Sequence, residues 1–211
     1  MKTALIAGST GLIGSQVLAL LLASDQYDKV ITFTRKLLTG HPKLLQVQIH
    51  QGKLTFDPTW HIDDVFCCLG TTMAKVRSKE KFYEVDFNYP LLLAKNSIAA
   101  GAKQYLLVSA LGANKKSPVF YNQVKGEIEE AILRVGFETV HIFRPSLLLG
   151  PRQEKRSAED AAKFFYKVFG FLIPPKFKAI EAIKVARAML HFAVKNQKGN
   201  FIHESTEMQD F

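Results

Sequence analysis

Ala4-Leu5-Ile6-Ala7-Gly8-Ser9-Thr10-Gly11-Leu12-Ile13-Gly14 is the stretch that decides how the rest of the chain is read. The short apolar run that ends at Gly8 predicts a buried strand. From Leu12 to Leu22 apolar residues recur at helical spacing, so a helix follows at once. Between the two stand glycines in the pattern G-x-x-G-x-x-G. Such glycines let the backbone turn tightly and approach a pyrophosphate, and the last lets helix and strand pack closely. The helix N-terminus then faces the anion. A purely structural glycine turn would show the same spacing, but the strand before and the helix after favour dinucleotide binding by Gly8, Ser9, Thr10, Gly11, Leu12, Ile13 and Gly14.

Outward from that turn, short apolar runs alternate with longer amphipathic segments. Strands are predicted at Ala4–Ala7, Val30–Phe33, Leu45–Ile49, Val65–Leu69, Tyr105–Val108 and Thr139–Phe143. Helices are predicted at Leu12–Leu22, from Tyr83 or Pro90 to Ala100, and at Phe120–Val135. Strands separated by helices imply right-handed crossovers and a mostly parallel sheet covered on both faces. The expected fold is α/β, a Rossmann-like doubly wound sheet within one domain over residues 1–211. Past Gly150-Pro151 the pattern changes to a charged loop (Arg152–Arg156), a helix at Ala158–Phe169, a break at Pro174-Pro175 and a last helix at Ile180–Val194. That stretch is too short for an independent domain and reads as a C-terminal cap, residues 151–211.

The second strand runs into Thr34-Arg35-Lys36. A carboxylate here would hold a ribose 2′-hydroxyl and repel a 2′-phosphate, whereas an arginine pairs with the phosphate. Arg35 and Lys36, with no acid beside them, favour NADP over NAD; a solvated strand end is the bland alternative. Further on, Ser109 ends the fifth strand, and Tyr121-Asn122-Gln123-Val124-Lys125 opens the next helix. Tyr121 and Lys125, at i and i+4, share one helix face. In a parallel sheet, strand C-termini and helix N-termini surround the ligand crevice, so Ser109, Tyr121 and Lys125 face it together with the glycine turn. A tyrosine of pKa about 10 is a poor base at neutral pH. A neighbouring ammonium is expected to lower it toward a useful range.

These features together resemble the short-chain dehydrogenase/reductase superfamily over roughly residues 1–150. The resemblance implies that Tyr121 is the general acid/base, that Ser109 holds the substrate oxygen, and that Lys125 binds the nicotinamide ribose and lowers the tyrosine pKa. The family's fourth polar residue is an asparagine, and either Asp86 or Asn88 falls at its place. Cys67-Cys68-Leu69-Gly70-Thr71-Thr72, Val108-Ser109-Ala110-Leu111-Gly112-Ala113, Phe143-Arg144-Pro145-Ser146-Leu147-Leu148-Leu149-Gly150 and Val185-Ala186-Arg187-Ala188-Met189 extend the match. Over nearly the full length the chain is similar to the atypical, Tat-interacting-protein-like branch of NADP(H) binders, some of which are discussed as regulators. The resemblance implies that Leu69, Gly70 and Thr71 run beside a cofactor ribose and that Pro145 stands against the nicotinamide. It leaves two readings open: an NADP-dependent oxidoreductase acting on a carbonyl or alcohol, and an NADP(H)-sensing regulatory protein.

Lys and Arg number 28 against 19 Asp and Glu, a formal charge of +9. That excess favours anionic partners, yet it is dispersed and carries no nucleic-acid motif, so no nucleic acid is expected. Asn114-Lys115-Lys116 and the group Arg152, Lys155 and Arg156 lie where they could attract an anionic substrate or simply be solvated. The aromatic run Phe164–Phe171 fits core, an apolar substrate pocket, or a docking surface for a protein partner or a second copy. His41, His50, His61, His141, His191 and His203 show no metal-ligand spacing, and His141 reads as a satisfied core residue. Two adjacent cysteines, Cys67 and Cys68, give no disulfide framework. With no apolar run near the roughly 18 residues that span a bilayer, a cytoplasmic chain is expected.

Overall fold

The computed structural model describes residues 2–49, 54–150, 174–195 and 197–211. Strand β1 (Lys2–Ala7) leads through the glycine turn into helix α1 (Leu12–Ala23). Strands β2 (Tyr27–Thr34), β3 (Leu44–Gln48) and β4 (Asp64–Cys67) follow. A short helix α2 (Met73–Val76) precedes one helical stretch in three parts: α3 (Lys79–Tyr83), a π-helical turn (Glu84–Asn88) and α4 (Tyr89–Ala99). The chain continues through β5 (Gln104–Val108), α5 (Phe120–Leu133), β6 (Thr139–Arg144) and β7 (Leu148–Leu149). Then come β8 (Ile180–Glu181), α6 (Ala182–Val194) and β9 (Gly199–Glu204).

Seven strands pair in the order β3-β2-β1-β4-β5-β6-β9, every pair parallel. The sheet grows outward from β1 to β3, then returns and grows the other way from β4. A crevice therefore opens between β1 and β4 at their C-terminal ends. Because side chains alternate along a strand, β1 feeds two cores. Ala4 and Ile6 pack on one face with α1 and α6, and Leu5 and Ala7 on the other with α4 and α5. Both faces are thus covered, as the near-continuous apolar strands required.

The doubly wound sheet agrees with the sequence reading, with two departures. The helix placed from Tyr83 or Pro90 begins earlier, because Ser78 caps α3 by accepting from the Lys81 N–H. The segment after Gly150, read as a cap, contributes a seventh strand, since β9 pairs with β6 over its whole length. That strand escaped notice because it is an edge strand whose Ile202 is 49% exposed, so apolar periodicity hardly marks it. The charged loop Arg152–Arg156, the helix Ala158–Phe169 and the aromatic run Phe164–Phe171 lie outside the described residues.

His141 is fully buried in β6, and its Nδ1 meets Nε2 of His203 in β9 at 2.9 Å. His203 Nδ1 in turn lies 3.0 Å from Glu207 Oε2. If each Nδ1 carries the proton, both contacts are satisfied with neutral rings, but His141 Nε2 has no partner. Sequence reading expected a satisfied histidine; half of it is. Burial, with His203 beside it, lowers the His141 pKa to about 4. A depressed histidine stabilises the fold fully above the unfolded value near 6.5 and loses that contribution as pH falls through 4. Up to about 3 kcal/mol is at stake, from 1.36 kcal/mol per pKa unit. Thermal melts between pH 7.5 and pH 4 should therefore show a progressive loss of stability, with a shallower slope in His141→Phe.

Candidate functional site

The site begins with two glycines that have no room for a side chain. Gly8 sits at φ +83°, and a Cβ there would stand 2.5 Å from the Cys68 carbonyl oxygen. A Cβ on Gly14 would stand 2.1 Å from the Gly8 carbonyl oxygen. The turn is closed by the Gly11 N–H donating to the Gly8 carbonyl at 2.9 Å. α1 starts with no side-chain cap and no acid in its first turn, so the positive end of its dipole is left for an anion.

A cavity of about 550 Å³ opens in front of this turn. Thr10 to Ile13 form one wall, Leu69 to Thr71 the floor beyond β4, and Ser109, Tyr121 and Lys125 the far side. The structure thus brings together most of the residues singled out by sequence. Gly8, Ser9 and Gly14 lie behind the lining as scaffold, with the Ser9 hydroxyl accepting from Thr32 Oγ at 2.7 Å. Arg35 and Lys36 are exposed just past β2, outside the cavity. Pro145 is buried, its carbonyl accepting from the Leu111 N–H, and Ser146 takes its place on the wall. Lys115 turns away to pair with Glu130 at 2.6 Å, so the loop Asn114-Lys115-Lys116 does not present that charge to the cavity.

The choice between Asp86 and Asn88 is resolved by the π-helical turn, which carries Asp86 inward, 1% exposed, and leaves Asn88 exposed. Asp86 Oδ1 lies 2.8 Å from Lys125 Nζ, and Oδ2 accepts from the Thr71 N–H at 2.8 Å. Both members of this ion pair are buried. Burial would lower the Lys125 pKa, but the facing carboxylate outweighs it and the net movement is upward. For Tyr121 the expected downward pull is overturned. Burial raises its pKa, Lys125 lowers it and Asp86 raises it again, leaving it above the ordinary value.

Ser109 holds a second surprise: its hydroxyl donates to the buried carboxylate of Glu129. Arg144 grips the same carboxylate with two bonds, Nε at 3.0 Å and Nη2 at 2.6 Å. The serine proton is therefore directed away from the cavity. Sequence reading missed Glu129, although its place at i+4 from Lys125 continues the buried face of α5, where a carboxylate must find a partner. It also passed over Lys75, which lines the cavity from α2, and named Pro145 where Ser146, in the same segment after β6, is the residue on the wall.

Sheet order, glycine turn and cavity define a Rossmann-type dinucleotide-binding protein. The chain belongs to the NAD dependent epimerase/dehydratase family, whose model matches residues 4–168. It is 35% identical to "Protein FMP52, mitochondrial" of Lodderomyces elongisporus, over 93% of this chain and 89% of that one. It is also 35% identical to "Protein HTATIP2" of Rattus norvegicus, over 94% of this chain and 84% of that one, in line with the atypical branch. Among solved structures, "MoeE5 in complex with UDP-glucose and NAD" superposes with a TM-score of 0.71 at 15% identity, covering 95% of this chain and 74% of that one. That likeness shows the fold alone. An NAD(P)-binding, oxidoreductase-like protein is the class these relationships support. The cytoplasmic expectation is overturned, because FMP52 relatives from several fungi are named mitochondrial. Two free cysteines, Cys67 and Cys68, do not distinguish one compartment from another. Among the described residues no helix is long and apolar enough to cross a membrane.

The two Arg144 contacts differ sharply in burial, and stability should follow. Glu129→Ala removes a carboxylate 5% exposed and strands Arg144 and Ser109, costing about 3–5 kcal/mol. Glu204, 47% exposed, also meets Arg144, yet Glu204→Ala should cost under about 1 kcal/mol. Urea unfolding midpoints of the two variants check this ordering.

Proposed function

We propose that the chain is an NADP-dependent oxidoreductase of the short-chain dehydrogenase type, acting on a small carbonyl or alcohol compound. The observation that carries this reading is the convergence of Tyr121 and Lys125, one helical turn apart, on the cavity that the glycine turn opens. The cradle fits a dinucleotide: Gly8 and Gly14 let β1, α1 and the loop beyond β4 pack backbone to backbone behind the cavity, and the uncapped α1 N-terminus suits a pyrophosphate. Thr10 to Ile13 would hold the diphosphate, Leu69 to Thr71 would run beside a ribose, and Lys125 would reach the nicotinamide ribose. Arg35 and Lys36, exposed at the end of β2, would meet a 2′-phosphate. Pro145 would act from behind the wall, setting the backbone at Ser146.

A bound nicotinamide supplies the hydride chemistry. Tyr121 supplies the proton, and its raised pKa keeps it a phenol at neutral pH, suited to protonating a carbonyl oxygen as that oxygen gains charge. Ser109, with its proton committed to Glu129, offers the cavity a lone pair, so it would accept from a substrate hydroxyl or amide. That same commitment favours a second reading, a protein that reads NADP(H) to engage a partner and turns over little.

A panel of aldehydes and ketones with NADPH separates the two. Catalysis predicts turnover that falls by about 100- to 10,000-fold in Tyr121→Phe while NADPH affinity is kept. NADPH binding by calorimetry without turnover of any compound would favour the sensor. In the same calorimeter, Arg35→Ala should weaken NADPH about tenfold and leave NADH unchanged; equal effects on both would remove the 2′-phosphate role.

A further inference from the structure

The linker between β2 and β3, residues 35–43, opens with Arg35 and Lys36, both exposed. Long exposed side chains keep most of their rotamer freedom, so the reach of the two charges is set by the backbone that carries them. That backbone is clasped at two points. Thr34, the buried last residue of β2, closes on Lys36: its hydroxyl donates to the Lys36 carbonyl at 2.6 Å and accepts from the Lys36 N–H at 3.3 Å. Gln46 of β3 reaches back to Leu38, accepting from its N–H at 2.7 Å and donating to its carbonyl at 3.1 Å. An amide bonded to both backbone groups of one residue holds it as a neighbouring strand would.

The first clasp encloses Arg35 and ends on Lys36, and the second stops the chain from swinging two residues further on. The Leu38 side chain adds an apolar anchor, packed on the core that α1 and α6 cover. Main-chain pairing already joins the two strands, with Thr32 opposite Gln46 and Thr34 opposite Gln48. The Thr34 and Gln46 side chains therefore act on the linker and not on the strand pairing.

We propose that Thr34 and Gln46 are positioning residues that fix the Arg35-Lys36 segment for a 2′-phosphate and so set the preference between NADP and NAD. This rests on the reading of Arg35 and Lys36 as the phosphate-binding pair. A loose segment must be ordered when the anion arrives, and that cost is subtracted from affinity, whereas a segment already held needs little ordering. Only the phosphorylated dinucleotide gains, because NAD offers a hydroxyl where the cations stand. Cofactor preference is then shared between the end of one strand and a side chain of the next.

Calorimetric titration of NADPH and of NADH tests this. Gln46→Met keeps the length of the side chain and loses both bonds; Thr34→Val keeps the shape and loses the hydroxyl. Each should bind NADPH about fivefold more weakly with NADH unchanged, and Thr34→Ser, which retains the hydroxyl, should bind NADPH as the native protein does. In an Arg35→Ala/Lys36→Ala background neither substitution should weaken NADPH further. Native NADPH affinity in Gln46→Met and Thr34→Val overturns the proposal. So does an equal loss for NADPH and NADH, which marks a general loosening of the fold. Should one variant fail to fold, the other carries the test, since the clasps come from different strands. The Arg35→Ala/Lys36→Ala protein separates the two readings. If it binds NADPH as tightly as the native chain, the 2′-phosphate role falls and the positioning role with it. If it binds weakly while Gln46→Met and Thr34→Val do not, the positioning role alone falls.

Discussion

The whole arrangement depends on backbone approaching backbone where β1 ends. Gly8 turns with positive φ against the Cys68 carbonyl, and Gly14 presses the first turn of α1 against the Gly8 carbonyl. A single methyl group at either position would have to displace main chain, not a pliable side chain. That contact fixes α1 to β1 and β1 to the loop beyond β4, and the crevice between β1 and β4 opens because the three are held so close. The shape of the crevice wall and the rigidity of the fold at this point share one cause, the missing side chains.

From that wall the chemistry is organised by one face of α5. Tyr121, Lys125 and Glu129 follow each other at intervals of four residues and so stack along the same side of the helix. Each meets a different element: Tyr121 the cavity, Lys125 the Asp86 carboxylate, Glu129 the Ser109 hydroxyl and Arg144. Two ion pairs, one buried and one partly buried, separated by one helical turn, thereby tie α5 to the π-helical turn on one side and to β5 and β6 on the other. Buried pairs of this kind add little net stability but are costly to break, so they act chiefly to hold the site's side chains in one geometry. Gly126 serves the same end, since a Cβ there would stand 2.2 Å from the Lys115 amide nitrogen, and its absence lets the loop after β5 lie on the helix.

Most of the fold was legible because burial leaves a mark on composition. β1, β4 and β5 are shielded on both faces and read as unbroken apolar runs, and glycine at Gly8 and Gly14 marks the turn by what it lacks. β9 was not legible because an edge strand satisfies its outer face with water, and its identity comes from pairing with β6 over a long stretch of intervening chain. The π-helical turn was hidden for a related reason. One extra residue in the helix lies between the buried Phe82 and Pro90, and local propensity does not register it.

For the site, residue types were legible and their states were not. Tyr121, Lys125 and Ser109 could be picked out because their spacing obliges them to converge on a crevice. What each one offers a ligand depends on a second partner contributed from elsewhere in the chain. Ser109 looks like a donor until Glu129 takes its proton, and Lys125 looks like a free cation until Asp86 answers it. Sequence spacing reports proximity along one helix, whereas the direction of a hydrogen bond is decided across elements, by which group happens to be buried opposite with no water to serve it. The polarity of this cavity is therefore a tertiary property, and the acids Asp86 and Glu129, neither of them at a motif's centre, set it.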